Sequence, residues 1–290
     1  MILSADPAPE MRAIAEASAA TGPAFDARDM RFFAREIRAR VGILLPESKA
    51  ALVFRRLAPR VRALGFASFA EYRSILADAD SPEWERIVGL LTTNHSRFFR
   101  EIHHFKLLQR HLEGRLADGA RRIRLWSAAC AAGQEPYSMA MILARLLDGR
   151  AGVDARVLAT DVDREVLAAA EAGCFGPEDV GHLPRFARGY MRPEPGATGR
   201  LAVSPEIRGF VRFRYHNLVG DNWPMRGPFD VIFCRNMLIY LSAEDQARVV
   251  RRLADLLRPG GILCLGHSEV ARKDEARVTR IEVASSYVRT

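Results

Sequence analysis

Apolar residues recur at helical spacing from Asp26 to about Asp118, and from Arg121 onward the pattern changes to short apolar runs alternating with amphipathic segments. In the first stretch Asp26 caps a predicted helix with Met30, Phe33, Ile37 and Val41 on one face. Pro46-Glu47 opens a second, with Leu52, Val53, Leu57, Val61 and Leu64 facing inward and Gly65 ending it. Ser68 caps a third through Phe69, Tyr72, Ile75 and Leu76, and Ser81-Pro82-Glu83 starts a fourth through Trp84, Ile87, Val88 and Leu91. The second stretch predicts strands at 122–128, 155–160, 209–215, 229–234 and 261–265, with helices at 134–147, 163–172 and 243–257 between them. A last strand pair near 278–289 closes the sheet antiparallel. Such alternation predicts a mainly parallel sheet with helices on both faces. The rhythm breaks between Gly173 and Pro205, where Gly, Pro and Arg surround short strand patterns at Tyr190-Met191 and Leu201-Ala202-Val203. This reads as an insertion carrying a small β element.

Composition adds limits. The chain of 290 residues is 49% hydrophobic and 27% charged, as in ordinary globular proteins. No apolar run approaches the roughly 20 residues of a membrane span. Residues Met1 to Gly22 lack a basic segment followed by an apolar core, so no signal peptide is expected, and the expected compartment is the cytoplasm. The net charge of +8 favours acidic partners, although arginine supplies nearly all the positive charge. Cys130, Cys174, Cys234 and Cys264 form no C-x-x-C pair, and no His stands at zinc-ligand spacing from them, so neither metal nor disulfide is expected. The histidines are scattered, with His103-His104 early in a helix and His267 after a strand, and read as structural.

The chemistry concentrates at strand ends. Ile123-Arg-Leu-Trp-Ser-Ala-Ala-Cys-Ala-Ala-Gly-Gln-Glu-Pro-Tyr-Ser138 runs from a strand through small residues into a helix, the way an open α/β sheet lets its backbone approach a nucleotide-like ligand. Only Gly133 is a glycine there, which argues against a dinucleotide fingerprint. The next strand ends in Asp161, an acceptor for ribose hydroxyls. Glu135 stands in the first turn of a helix, either as a cap or as a ligand group. Thr92-Thr-Asn-His-Ser-Arg-Phe-Phe-Arg-Glu101 gathers Asn94, Ser96 and Arg100 beside this site, or else caps a helix with Phe98 and Phe99 as its staple. Phe229-Asp-Val-Ile-Phe-Cys-Arg-Asn236 is a buried strand ending in Arg235-Asn236, with Tyr240 in the next turn, and Asn217 ends the strand before it. Arg55, Arg56, Arg60 and Arg62 form a basic stripe on the second helix, a pattern that usually marks a solvated face.

Four motifs in order, Thr92-Thr-Asn with Phe-Phe-Arg-Glu, Trp126-Ser-Ala-Ala-Cys with Gly-Gln-Glu-Pro-Tyr-Ser, Ala159-Thr-Asp-Val-Asp and Phe233-Cys-Arg-Asn with Ile-Tyr, resemble the CheR family of chemoreceptor glutamate methyltransferases. The resemblance runs from about Phe25 to the C-terminus. It implies an α/β fold with a Rossmann-like S-adenosylmethionine-dependent methyltransferase sheet, an N-terminal all-α domain and a small inserted antiparallel β-subdomain. The expected division is a tail at 1–25, a helical domain at 26–92 and a methyltransferase domain at 93–290, with the insertion at about 176–206. By motif, Asn94, Ser96, Arg100, Glu135, Asp161, Asn217, Leu218, Arg235 and Asn236 become donor-binding residues. Arg100, Arg235 and Tyr240 become catalytic residues. Arg55, Arg56, Arg60 and Arg62 would meet the acidic methylation region of a chemoreceptor's cytoplasmic domain. Ser96 stands where the family often has threonine, and Gln134 where it often has a second glutamate. The implied enzyme works peripherally at receptor arrays without membrane insertion. Some members bind a receptor C-terminal peptide at the β-subdomain; the sequence leaves open whether this one does. A nucleic-acid methyltransferase, the first alternative, would show an Asp/Asn-Pro-Pro-Tyr/Phe motif or a Pro before its catalytic Cys. This chain has no such motif, and Phe233 precedes Cys234. The other alternative, a donor-binding adaptor without turnover, is disfavoured by the intact Asp161, Arg100, Arg235 and Tyr240.

Overall fold

Why the chain alternates after Arg121 is visible in strand burial: β1 (Arg122–Ala128) and β7 (Phe229–Cys234) are buried on both faces, as the centre of a parallel sheet must be. The computed structural model describes residues 22–271 and 277–290, so most of the tail expected at 1–25 lies outside the described residues. These residues form two compact units that divide between Thr93 and Asn94.

The first unit holds α1 (Ala27–Val41), α2 (Ala50–Ala63), α3 (Phe69–Ser74) and α4 (Glu83–Leu91). Asp26 caps α1 and completes a reciprocal capping box with Asp29. The Pro46-Glu47 start is one 3-10 turn, Glu47–Lys49, before α2 proper. Phe33, Ile37, Val53, Leu57, Val61, Phe69, Tyr72 and Ile87 are fully buried in this unit. Leu64 and Ile75, expected to face inward, are 37% and 41% exposed. Both are C-cap residues, where the helix ends and its inward face is lost.

In the second unit α5 (Ile102–Ala117) precedes β1, followed by α6 (Gln134–Leu147), β2 (Asp154–Asp161) and α7 (Arg164–Ala172). The insertion contains β3 (Cys174–Phe175), two single-turn helices, α8 (Pro177–Val180) and α9 (Arg185–Arg188), then β4 (Met191–Pro193) and β5 (Leu201–Val203). Its three strands form an antiparallel sheet in the order β3-β5-β4, the small β element expected there. After α10 (Pro205–Phe210) come β6 (Val211–Tyr215), β7, α11 (Ala243–Leu256), β8 (Leu257–Leu265), β9 (Val278–Arg280) and β10 (Ser286–Arg289). Strand β6 starts at 211 rather than 209 because Pro205 opens a helix turn first.

The seven-stranded sheet has the order β6-β2-β1-β7-β8-β10-β9. Strands β6, β2, β1, β7 and β8 are mutually parallel, and β10 runs antiparallel to both its neighbours. This is the expected α/β fold: helices on a mainly parallel sheet, closed by an antiparallel pair. Alternate residues of each strand feed two half-cores. Ile123, Leu125, Val231, Phe233 and Cys264 join α5, α6 and the insertion, while Trp126, Ile232, Cys234, Leu263 and Leu265 join α11. The chain leaves β1 toward β2 on one side, and β7 pairs with β1 on the other. That reversal opens a crevice at the carboxyl ends of β1 and β7, the usual ligand position in such sheets.

Candidate functional site

Small residues after β1 allow a backbone that larger ones would resist. Ala129, Ala131 and Gly133 have φ of 72°, 47° and 93°. At Gly133 a Cβ would lie 3.0 Å from the Ala170 Cβ and 3.2 Å from the Tyr137 ring, so a side chain there would push α6 and α7 apart. Three of the loop's N–H groups are bound within the protein. Those of Ala129 and Cys130 donate to the Thr160 carbonyl at 2.8 and 2.9 Å, and that of Ala131 donates to Asp161 Oδ2 at 2.9 Å. These three bonds clasp the loop onto the end of β2.

Asp161, at the end of β2, is 7% exposed. Its Oδ1 accepts from the N–H groups of Val162 and Asp163, at 2.8 and 3.1 Å. Oδ2 accepts from one protein donor, the N–H of Ala131, and has capacity for a second hydrogen bond. Burial pushes the Asp161 carboxyl above the usual carboxylate range, against the pull of these backbone donors. Asp163 caps α7 and accepts from the Asn94 amide at 2.6 Å, which ties the 94–101 loop to the end of β2. His216 donates its N–H to the Asp161 carbonyl at 2.9 Å, so Asn217 and buried Leu218 follow β6 beside the same strand end.

Glu135, in the first turn of α6, is also buried. It accepts from the Ser127 hydroxyl at 2.7 Å and pairs with Arg235 Nε at 3.3 Å. Burial raises its pKa, while the Arg235 charge and the Ser127 hydroxyl pull the other way. Arg235 is 6% exposed, with its guanidinium carbon 5.4–5.6 Å from the ring centres of Phe233 and Phe105. Its Nη2 donates to the Arg100 carbonyl at 2.7 Å. Its Nη1 is buried with no hydrogen-bond partner among the described residues. A buried, unsatisfied guanidinium donor is costly, and an oxygen-bearing ligand in the crevice would satisfy it.

The 94–101 loop closes this side. Phe98 packs edge-on against Phe175 at 4.8 Å and Phe99 against Phe186 at 5.7 Å, so the inserted segment anchors the loop. The Phe99 N–H donates to Ser138 Oγ, and Arg100 Nη1 holds the His95 carbonyl at 3.1 Å. Phe99 and Glu101 both have positive φ, at 52° and 57°, and helix α5 begins only at Ile102. Phe99 also packs against Phe105 in the first turns of α5, at 5.1 Å, and covers the helix start as a staple would. Ser96 lies half-buried in this loop, and Tyr240 half-buried in the one-turn helix Leu238–Tyr240 that follows Asn236. Asn94, Arg100, Glu135, Asp161, Arg235 and Asn236 are thus joined by contacts or short backbone links around one crevice. Asn236, at φ 59°, continues the chain of contacts through its amide, 3.5 Å from Glu101 Oε1.

Two features escape a reading of the sequence. One is Glu269, a buried carboxylate in the loop after β8 that accepts from the N–H groups of Asn236, Gly266 and Ile239. Its signal was a glutamate directly after a strand end, in Gly266-His-Ser-Glu269. The other is the Glu101, His103 and His104 group, which brings one donor atom from each within 4.8 Å of the others. His104 is fully buried and donates from Nε2 to the Ala284 carbonyl at 2.9 Å. Burial lowers its pKa to about 4, and the Arg235 charge acts in the same direction. That charge opposes a cation among these residues for the same electrostatic reason. His104 is thus a neutral imidazole locking α5 to the turn before β10.

The basic stripe of the first unit divides. Arg56 donates to the carbonyls of Leu91 and Thr92 at 2.9 and 2.7 Å and so caps the C-terminus of α4. Arg60 makes a two-pronged pair with Glu83 at 2.8 and 2.7 Å, a carboxylate that also accepts from the Tyr72 hydroxyl. These two arginines are committed to holding the helices together, a correction to the reading of four on one solvated face. Arg55 and Arg62 are exposed.

Comparison with known proteins agrees with this arrangement. Residues 28–92 match the all-alpha domain of the CheR methyltransferase family, and residues 94–287 match its S-adenosylmethionine-binding domain. The chemotaxis protein methyltransferase of Klebsiella aerogenes is 41% identical over 233 residues, 79% of each chain. That of Escherichia coli K12 is 40% identical over 243 residues, 83% of each chain. Chemotaxis protein methyltransferase 2 of Pseudomonas aeruginosa is 41% identical over 230 residues, 79% of this chain and 81% of its own. With its helical unit, its crevice at the β1/β7 reversal and both family regions matched, this chain belongs to the CheR family of S-adenosylmethionine-dependent methyltransferases.

Proposed function

We propose that this methyltransferase esterifies glutamate side chains in the cytoplasmic domain of chemoreceptors, the methyl-accepting chemotaxis proteins. The observation that carries the reading is the buried Glu135–Arg235 pair at the strand reversal, with one guanidinium nitrogen unpartnered. Bound in this crevice, S-adenosylmethionine supplies a sulfonium methyl to a glutamate carboxylate that is already ionised at neutral pH, so no general base is required.

The residues then divide the work. Asp161 takes a ribose hydroxyl on its remaining lone pair. Arg100 holds the donor's carboxylate bidentately and Glu135 its ammonium group. Asn94, Ser96, Asn217, Leu218 and Asn236 line the donor's remaining polar and apolar edges. Arg235 and Tyr240 orient the groups around the methyl. Catalysis comes from positioning within a dry, charge-matched crevice rather than from proton transfer. On the helical unit, taken as residues 26–92, Arg55 and Arg62 meet the acidic receptor segment. Arg56 and Arg60 act by keeping α2 against α4. The methyltransferase domain is taken as 93–290, with the β-subdomain at about 176–206. In the three-stranded sheet, β3 and β4 each pair on one side only, which leaves an edge for an extended receptor C-terminal peptide. The enzyme then works in the cytoplasm at receptor arrays, and no described helix is long and apolar enough to cross a membrane.

The test offers methyl-labelled S-adenosylmethionine to chemoreceptor-containing membranes. Base-labile label released as methanol is expected. Label that resists base, or label found only in nucleic acid, would replace this reaction with another.

A further inference from the structure

We propose that Glu269 is a positioning residue of the methyl-transfer site, holding the Arg235-Asn236 turn in the one backbone conformation that lets both side chains serve the donor. The inference rests on the donor-binding role given to Arg235 and Asn236 above. Strand β7 ends at Cys234, and there the chain leaves the ladder with N–H groups that no neighbouring strand can accept. Glu269, 4% exposed, supplies the missing acceptors from the loop after β8. Its Oε2 takes the N–H groups of Asn236 at 2.9 Å and Gly266 at 2.6 Å, and its Oε1 takes that of Ile239 at 3.3 Å. The same carboxylate thus grips the turn on both sides of the Met237-Leu238 segment that leads into Tyr240.

The grip falls on a left-handed turn. Asn236 sits at φ 59°, a conformation that asparagine tolerates better than other side chains and that turns the chain sharply out of β7. Gly266, facing it from the end of the neighbouring strand, leaves no room for relaxation. A Cβ there would lie 2.6 Å from Asn236 Nδ2, 2.7 Å from its backbone nitrogen and 2.7 Å from Glu269 Oε2. Glu101 completes the hold from a third direction, its Oε1 3.5 Å from the Asn236 amide. Glu269 reaches no reacting atom. It acts through the turn, its two oxygens accepting from three backbone N–H groups.

The test measures S-adenosylhomocysteine binding by calorimetry, and steady-state kinetics on receptor-containing membranes, with the full chain. Glu269→Gln keeps the shape but replaces one acceptor oxygen with an NH2 group, so at least one of the three N–H groups loses its partner. The expected result is a rise of roughly tenfold to a hundredfold in the S-adenosylhomocysteine Kd and the donor KM. The receptor KM should stay unchanged, and Glu269→Asp should recover part of the loss. Binding at wild-type strength in folded Glu269→Gln, or an equal rise in both KM values, overturns the inference. Asn236→Ala separates the two levels. If it weakens binding while Glu269→Gln does not, the positioning role alone is wrong; if neither does, the donor-site reading of Asn236 fails too. Should Glu269→Gln not fold, Gly266→Ala presses on the same turn with the carboxylate intact. The same donor-selective rise is expected there, and a wild-type donor KM overturns the proposal.

Discussion

Asp161 shows how one carboxylate takes on a structural task that its place in the sequence does not announce. Its place at the end of a strand, after a small-residue loop, announced a ribose acceptor. That it also holds the N–H groups of Ala131, Val162 and Asp163 was not legible, because the loop's path follows from tertiary pairing of Ala129 and Cys130 with Thr160 and of Ala131 with Asp161, not from local propensity. Asp161→Ala therefore removes the proposed ribose contact and the acceptor of three backbone N–H groups together. We expect S-adenosylhomocysteine binding to weaken by roughly a hundredfold or more, measured by calorimetry. Unchanged binding would show that the ribose is held elsewhere. Tyr240 poses the opposite case, a side chain with no evident part in the core and a place directly after the Arg235-Asn236 turn. Tyr240→Phe should lower kcat roughly tenfold to a hundredfold, the worth of one charge-assisted hydrogen bond, and leave donor binding nearly unaltered. A loss confined to donor affinity would make it a binding residue.

At the scale of elements, hydrophobic periodicity located α1, α2, α4 and the central strands, because each has a face or a whole strand to bury. It failed at element ends: Leu64 and Ile75 continue the periodic pattern one residue beyond the helix that gave it meaning. Periodicity is equally silent about what a charged helix face does. Arg55 and Arg56 are adjacent in sequence, yet Arg56 caps α4 while Arg55 is exposed. The two should separate cleanly on substitution. Arg56→Ala leaves the last carbonyls of α4 without their charged donor and should cost about 1–2 kcal/mol, read as a lowered unfolding midpoint of the chain. Arg55→Glu should leave that midpoint unchanged, within about 0.5 kcal/mol, and reduce methylation of receptor membranes while S-adenosylhomocysteine binding stays normal. If Arg55→Glu methylates receptors at the wild-type rate, the exposed part of this stripe is not the receptor-facing surface.

Across the whole molecule, the two half-cores on either side of the sheet bury histidines that looked scattered along the chain. His104, on α5, holds the 284 turn and packs on Phe233 on one face, and His216 packs on Trp126 and Trp223 on the other. Burial lowers each pKa from 6.5 to about 4, with Arg235 adding to the effect at His104 and Arg252 at His216. Glu101 and the Ala284 carbonyl pull His104 the other way without reversing the shift. A depressed histidine pKa means that the unfolded chain binds the proton first. The stability it represents is whole above pH 6.5 and drains away as pH falls toward 4, at up to about 1.4 kcal/mol per pH unit for each residue. Glu135 and Asp161 oppose this trend, since their raised pKa values let the folded chain hold protons that the unfolded chain has released. Wild-type acid sensitivity alone therefore mixes both signs, and a comparison with substituted chains isolates the histidines. His104→Gln keeps an N–H donor for the Ala284 carbonyl but cannot be protonated. Between pH 7 and pH 5, its unfolding midpoint should fall by roughly 5 °C less than that of the wild type, about 2 kcal/mol at the usual slope for a unit of this size. His216→Gln should show the same difference, and the two effects should add, because the residues lie on opposite faces of the sheet and share no partner. Parallel midpoint-against-pH curves for wild type and both variants would mean that these imidazoles are already hydrated in the folded chain.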